Sequence, residues 1–244
     1  MRLDRELVPG RPDLPPLVFL HEGLGSLALW RDFPRQVAAA CGGATTLVYS
    51  RAGYGQSPPA QLPRPVTYMH DEALVALPRV LADAGVERPV LVGHSDGASI
   101  ALLYAGAGHP VTGLVLLAPH VFVEDRTIAG IEAATRAYDE GPLRARLARH
   151  HADVDATFRG WSDIWLSPEF RSWDITAALP AITSPILLIQ EAGDPYGTVA
   201  QLDAIESGVG APVTRLVVPG TGHSPHESAP DEVATAIAGF LDDA

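Results

Sequence analysis

The five residues Gly93-His94-Ser95-Asp96-Gly97 form a G-x-S-x-G pattern, directly after the apolar run Val90-Leu91-Val92 and directly before the helix-prone Ala98–Tyr104. Ser95 in that setting has the makings of a nucleophile, for a steric reason. A serine held in a tight strand-to-helix turn has its Oγ pushed into the open, and only glycines two residues to either side leave room for such a backbone. The same turn aims the Asp96 N–H and the start of the following helix at the place where an oxyanion would form. What the chain lacks narrows the chemistry further. All 17 basic side chains are arginine, so a Schiff-base lysine, a phosphate-cradling lysine and a Ser-Lys dyad are excluded. The single Cys41 cannot make an internal disulfide, a zinc cluster or an iron–sulfur site.

The elements that must position Ser95 are read from hydrophobic patterning. Short apolar runs at Leu17–Leu20, Thr45–Ser50, Pro89–His94, Leu114–Ala118, Ile186–Gln190 and Arg215–Val218 read as strands. Helical patterns lie between them, at about Trp30–Ala40, Tyr68–Ala84, Ala98–Gly106, Thr198–Ile205 and Asp231–Leu241. This alternation predicts a parallel α/β sheet covered on both faces, with Arg2–Val8 as one further edge strand. It breaks between His120 and Pro180, where three short helices are expected. Asp125 caps the first, Leu143–His151 forms the second, and the third runs from about Val154 to Leu166 and stops at Ser167-Pro168. Helices inserted after one strand of such a sheet usually sit over the strand C-termini. The expected organisation is a core of residues 1–119 and 181–244 with a helical cap at 120–180.

In this order and setting, the motifs resemble those of the α/β-hydrolase fold family, in particular a serine esterase-like member with a G-H-S-D-G elbow. The resemblance implies a mostly parallel central sheet flanked by helices, and a triad running nucleophile, acid, histidine along the chain. Glu191-Ala192-Gly193-Asp194-Pro195 follows the strand at Ile186–Gln190, so Asp194 matches the acid. Pro219-Gly220-Thr221-Gly222-His223 follows the last strand, so His223 matches the base. The loop His21-Glu22-Gly23-Leu24-Gly25 resembles the family's His-Gly loop, with Glu22 where glycine is usual. It implies Gly23 as the second oxyanion donor beside Asp96, with Leu24 as the alternative. An ionised Glu22 would oppose an oxyanion, so its side chain is expected to turn away, toward Arg51. Ser50-Arg51-Ala52-Gly53-Tyr54-Gly55 matches a further loop, with Ser50 where many members carry Asp.

Each of these residues has a rival. His226 stands three residues after His223. Asp125 competes with Asp194 because some members supply the acid after the earlier strand, and Glu191 lies close by. Of the nine histidines, His94 and His21 read as structural, and the adjacent His150 and His151 face different directions on a helix and make a poor metal pair. Val154, Phe158, Trp161 and Trp165 share one helix face. They pack the cap onto the core, and Trp161 or Trp165 also roofs an acyl pocket whose mouth Tyr196 and Thr198 line.

The expected activity is that of a serine hydrolase cleaving small carboxylic esters, thioesters or lactones through an acyl-enzyme, with no cofactor and no metal. Hydrolysis of a carbon–carbon bond in aromatic ring-cleavage products, cofactor-free perhydrolysis and a non-turnover ligand receptor stay open as alternatives on the same constellation. A formal net charge of -12 argues against nucleic acid or an anionic membrane as partner, leaving a small acyl substrate. No apolar run approaches the ~18 residues of a membrane span, and the N-terminal segment lacks the apolar stretch of a signal peptide. The reading is therefore of a cytoplasmic protein, with its oligomeric state left open.

Overall fold

The computed structural model describes residues 3–242. Seven strands, β1 (Arg5–Val8), β2 (Leu17–Leu20), β3 (Thr46–Tyr49), β4 (Val90–His94), β5 (Gly113–Leu117), β6 (Ile186–Glu191) and β7 (Val213–Val218), form one sheet in the order β1-β3-β2-β4-β5-β6-β7. All neighbours are parallel except β1, which runs antiparallel to β3 with Arg5 opposite Tyr49. The expected edge strand is thus present from Arg5, and Arg2 lies outside the described residues.

Strands β2 to β6 are buried throughout, and alternate residues feed two separate cores, as the pleat requires. Leu17, Phe19, Val90, Val92, Val115 and Leu117 pack on α1 (Phe33–Ala40) and the C-terminal α10 (Pro230–Asp242). Val18, Leu20, Leu91, Leu114 and Leu116 face the other side. There they meet α4 (Asp96–Gly106) and the chain from Tyr68 to Ala84, which buries Met69, Leu77 and Leu81. Residue counts at helix ends differ from the sequence reading where proline intervenes. The stretch expected as a helix from Trp30 is a 3₁₀ turn over Leu27–Trp30 followed by a fresh start at Phe33, because Pro34 fits only in a first turn. Tyr68–Ala84 is α2 (Tyr68–Asp71), a π turn at Glu72–Ala76 and α3 (Leu77–Ala84). Pro78 has no N–H to give to the turn before it, and the wider register accommodates the loss.

Between β5 and β6 lie α5 (Asp125–Asp139), α6 (Leu143–Leu147), α7 (Val154–Trp165) and 3₁₀ turns at Pro168–Ser172 and Thr176–Ala181. Asp125 does not cap α5. Glu124 is the N-cap and its carboxylate is committed elsewhere, while Asp125 is a first-turn residue paired with Arg171 and almost fully exposed. In contrast, Asp153 caps α7 by accepting the Ala156 N–H at 2.9 Å. The remaining helices are α8 (Ala200–Gly208) and the short α9 (Pro225–Ser228). Among the described residues no helix is long and apolar enough to cross a membrane.

Candidate active site

Ser95 sits between β4 and α4 at φ 53° and ψ −115°, a left-handed backbone that is costly for any residue with a side chain. The neighbouring packing explains why both flanking glycines are needed. A Cβ on Gly93 would stand 2.4 Å from the Gly97 carbonyl oxygen, and one on Gly97 would stand 2.0 Å from that of Leu20. The turn is further held by the Ser95 N–H, which donates to Leu117 O at 2.9 Å across the sheet. Among the described residues the Ser95 hydroxyl makes no hydrogen bond, and it opens on a cavity of about 80 Å³ at the C-terminal ends of the strands.

His223, from the loop after β7, lines the same cavity. Its Nδ1 lies 2.8 and 2.9 Å from the two oxygens of Asp194, which is buried in the loop after β6. An ionised carboxylate only accepts, so Nδ1 carries the proton and Nε2 keeps its lone pair for the cavity. Burial works against the Asp194 charge, but the His223 hydrogen bond and charge hold its carboxyl below the usual range, helped by the Tyr196 N–H at 2.8 Å. The rivals are elsewhere. His226 stacks in the core against Trp30 and Phe33 at 4.9 and 5.2 Å between ring centroids. Glu191 accepts the Gly222 N–H at 2.7 Å and the Ser228 hydroxyl at 2.9 Å, and thereby pins the loop that carries His223.

The loop after β2 brings Glu22, Gly23 and Leu24 to the cavity. Among the described residues the Gly23, Leu24 and Asp96 N–H groups donate to no protein acceptor, so each is free to meet an oxyanion. The loop has three braces. His21 Nδ1 donates to Glu22 O at 2.7 Å while its Nε2 accepts the Arg51 N–H. The buried Arg51 guanidinium donates to the carbonyls of His21 and Glu22. His151 reaches across from the segment before α7, with Nε2 donating to Leu24 O and Nδ1 accepting the Gly55 N–H, both at 3.0 Å.

Glu22 departs from expectation. Arg51 takes its backbone carbonyl, not its carboxylate, and instead approaches Asp96 Oδ2 at 3.6 Å. The Glu22 side chain lies over Gly25 and stands 3.3 Å from His94 Nδ1. His94 Nδ1 makes no hydrogen bond, so the approach is a charge contact. Burial opposes both charges, yet the pair wins: His94 holds the Glu22 carboxyl well below the usual carboxylate range, and Glu22 raises His94. His94 Nε2 meanwhile donates to the backbone oxygen of His223 at 2.7 Å. A single histidine beside the nucleophile therefore ties the loop after β2 to the loop after β7.

The cavity wall is completed by Thr127 and Ile131 of α5, Trp161 and Trp165 of α7, and Tyr196. Trp161 lies over Gly23, where an added Cβ would meet its Nε1 at 2.1 Å. Trp165 is built into the core as well: its Nε1 donates to Tyr68 OH at 2.9 Å, and Tyr68 OH donates to Asp96 Oδ2 at 2.8 Å. Tyr196 stacks beside His223 at 4.7 Å. Thr198 does not line the cavity, because Glu124 holds both its N–H and its hydroxyl. Three lining residues escaped the sequence reading: Thr127 and Ile131 on α5, and His120, just past β5, which carries no pattern at all.

A strained serine, a carboxylate-bound histidine and free N–H groups at the C-terminal edge of a mostly parallel sheet define a hydrolase of the α/β class. The chain belongs to the alpha/beta hydrolase family, whose family model matches residues 17–236. Among solved structures it is similar to an esterase from Exiguobacterium antarcticum, at TM-score 0.74 and 15% identity over 98% of this chain and 94% of that one. It is also similar to a thermophilic esterase from Thermogutta terrifontis, at TM-score 0.73 and 19% identity over 99% and 93%. A third likeness is to a monoacylglycerol lipase from Paleococcus ferrophilus, at TM-score 0.69 and 18% identity over 100% and 99%. No curated protein matches the sequence.

Proposed function

We propose that this hydrolase cleaves small carboxylic esters, thioesters or lactones by covalent serine catalysis. Ser95 Oγ attacks the carbonyl carbon while His223 Nε2 takes its proton, and the Asp96 N–H together with that of Gly23, or of Leu24, holds the oxyanion. Collapse breaks the bond to the leaving alkoxide or thiolate, which receives the proton from His223. Water, deprotonated by the same nitrogen, then attacks the acyl-enzyme and releases the acid. Asp194 holds the ring in the productive tautomer and stabilises its cation throughout.

The observation that supports this reading most is the bonding of both Asp194 oxygens to His223 Nδ1, which leaves Nε2 unbonded on a residue that lines the same cavity as Ser95. Residues 120–180 act as a cap, with Trp161 and Trp165 as its roof over the acyl group. The test is covalent labelling of Ser95 by a fluorophosphonate, followed by turnover on an ester and thioester panel. Labelling with multiple turnovers, both lost in Ser95→Ala, is the expected result. Labelling with release stalled after one event favours a receptor, and undiminished turnover in Ser95→Ala removes Ser95 from the mechanism.

A further inference from the structure

His120 is a nearly fully buried histidine that the mechanism does not use. The chain delivers it to the cavity by force: Ala118 adopts φ 47°, Pro119 follows, and the strained turn is held by the Ala118 N–H on Ile189 O at 2.7 Å. The backbone on either side is anchored as well, with His120 O accepting the Ser99 hydroxyl and Val121 N–H donating to Gln201 Oε1. The ring itself is left without protein partners. Neither nitrogen makes a hydrogen bond among the described residues, and Nδ1 is fully enclosed. The Cε1–Nδ1 edge lies against Gly197, where an added Cβ would stand 3.2 Å from Cε1, so the absent side chain of Gly197 makes room for it. The ring stands 5.7 Å from that of Trp165 and 5.7 Å from that of His223.

Nδ1 is walled in against Gly197 and out of a ligand's reach, so the nitrogen left for the cavity is Nε2, which has no protein partner among the described residues. Of the nearby wall, Leu24 and Ile131 are apolar, the Thr127 hydroxyl is spent on Tyr196 O and the Trp165 N–H on Tyr68 OH. We propose that His120 is a polar subsite of the acyl pocket, and that the preferred acyl group is short and carries a hydroxyl or keto oxygen within reach of that imidazole. This rests on the serine-hydrolase reading and narrows its substrate class. The cavity of about 80 Å³ is roughly half the volume that admits a benzene ring, which suits a short acyl group. Nε2 of a neutral imidazole donates or accepts according to the tautomer, which suits a hydroxyl or keto oxygen. A carboxylate is the wrong partner: burial keeps His120 neutral, down to about 3, and the ionised Asp194 and Glu22 stand nearby.

The test compares ethyl 3-hydroxypropanoate with its isostere ethyl butanoate, and with monoethyl malonate, by pH-stat in the whole protein. The expected kcat/KM for the hydroxy ester exceeds that for butanoate by about tenfold, the worth of one buried hydrogen bond. In His120→Leu that ratio falls to about one, as the loss of that polar contact requires. Should His120→Leu fail to fold, Gly197→Ala poses the same question, because its Cβ presses on the imidazole; the ratio should again fall with butanoate turnover retained. A ratio near one in the unaltered protein, an unchanged ratio in the variant, or a preference for the malonate would each overturn the proposal. Fluorophosphonate labelling keeps the two readings apart: labelling without hydroxy-acyl preference removes only the subsite, and no labelling removes the serine mechanism beneath it.

Discussion

Lowering the pH from 6.5 to 5 is expected to lower the stability of this fold, through three histidines buried in the neutral form. Burial lowers His120 and His226 to about 3, and lowers His21 well below the ordinary histidine value. The geometry gives the reason in each case. His120 has no acceptor for a second proton, His226 is packed on Trp30 and Phe33, and His21 already spends Nε2 on the Arg51 N–H. In the unfolded chain each titrates near 6.5, so unfolding takes up about one proton per histidine at pH 5 to 6. A depressed folded pKa contributes stability that is intact above 6.5 and is eroded as the pH falls toward the folded value. Each proton is worth about 1.4 kcal/mol per pH unit, so His120 and His226 together cost roughly 3 kcal/mol per unit and about 4 kcal/mol by pH 5, and His21 adds to the loss. That is a sizeable share of the whole stability of a typical domain, about 5–15 kcal/mol. Burial pushes the carboxyls of Glu72 and Asp96 up, so the folded state takes up protons there first and offsets part of the loss. His94 is raised by Glu22, so its contribution is fully present below 6.5 and is lost only as the pH rises; Glu22 and Asp194 are depressed carboxylates, whose contributions hold until the pH falls below about 4. Urea midpoints with m-values at pH 7, 6 and 5 measure the slope, and His226→Leu should reduce it by about one proton. Stability that is flat or rising between pH 6.5 and 5 would refute the neutral burial of these side chains.

Asp194→Asn should lower kcat by orders of magnitude, roughly 10⁴ where the equivalent change was made in a serine protease, because the amide favours the wrong tautomer of His223. Asp125→Asn should leave both activity and melting temperature unchanged, since Asp125 is an exposed partner of Arg171 and caps nothing; the opposite ranking would move the acid. Trp165→Ala should cost about 3–5 kcal/mol in denaturant titration, because it empties a core site and strips the indole donor from Tyr68. Trp161→Ala should shift the preferred acyl length in an ester series while acetyl turnover survives, since the indole covers Gly23 at the cavity. Glu191→Ala frees the Gly222 N–H and the Ser228 hydroxyl, and should lower kcat more than it raises KM by loosening the loop that carries His223.

How far the sequence could be read depended on the range of the forces involved. The apolar runs of β2, β4, β5 and β6 were legible because strands covered on both faces have no polar side to blur the pattern. The elbow around Ser95 was legible because its sterics are settled within five residues. Helix ends were less so, because the breaks at Leu27–Trp30 and Glu72–Ala76 depend on how Pro34 and Pro78 reshape the turn before them. Asp125 looked like a cap from its position before an amphipathic stretch, but Glu124 occupies that place and spends its carboxylate on Thr198 and Gln201, more than seventy residues away.

The order of strands and helices, the turn at Ser95 and the residue types available for a nucleophile, an acid and a base follow from the sequence alone, because local sterics and burial periodicity decide them. What surrounds those residues was decided only by the tertiary structure. His94 meets the His223 backbone across 129 residues, and His151 meets Leu24 across 127. The Glu22 carboxylate chose His94 over Arg51 because Arg51 was already filled by two carbonyls of the same loop. His120 has no sequence signal, since nothing near it in the chain distinguishes it from a loop histidine. Its position in the cavity wall comes from sheet order, which sets β5 between β4 and β6 and so brings the loops after all three strands to one place.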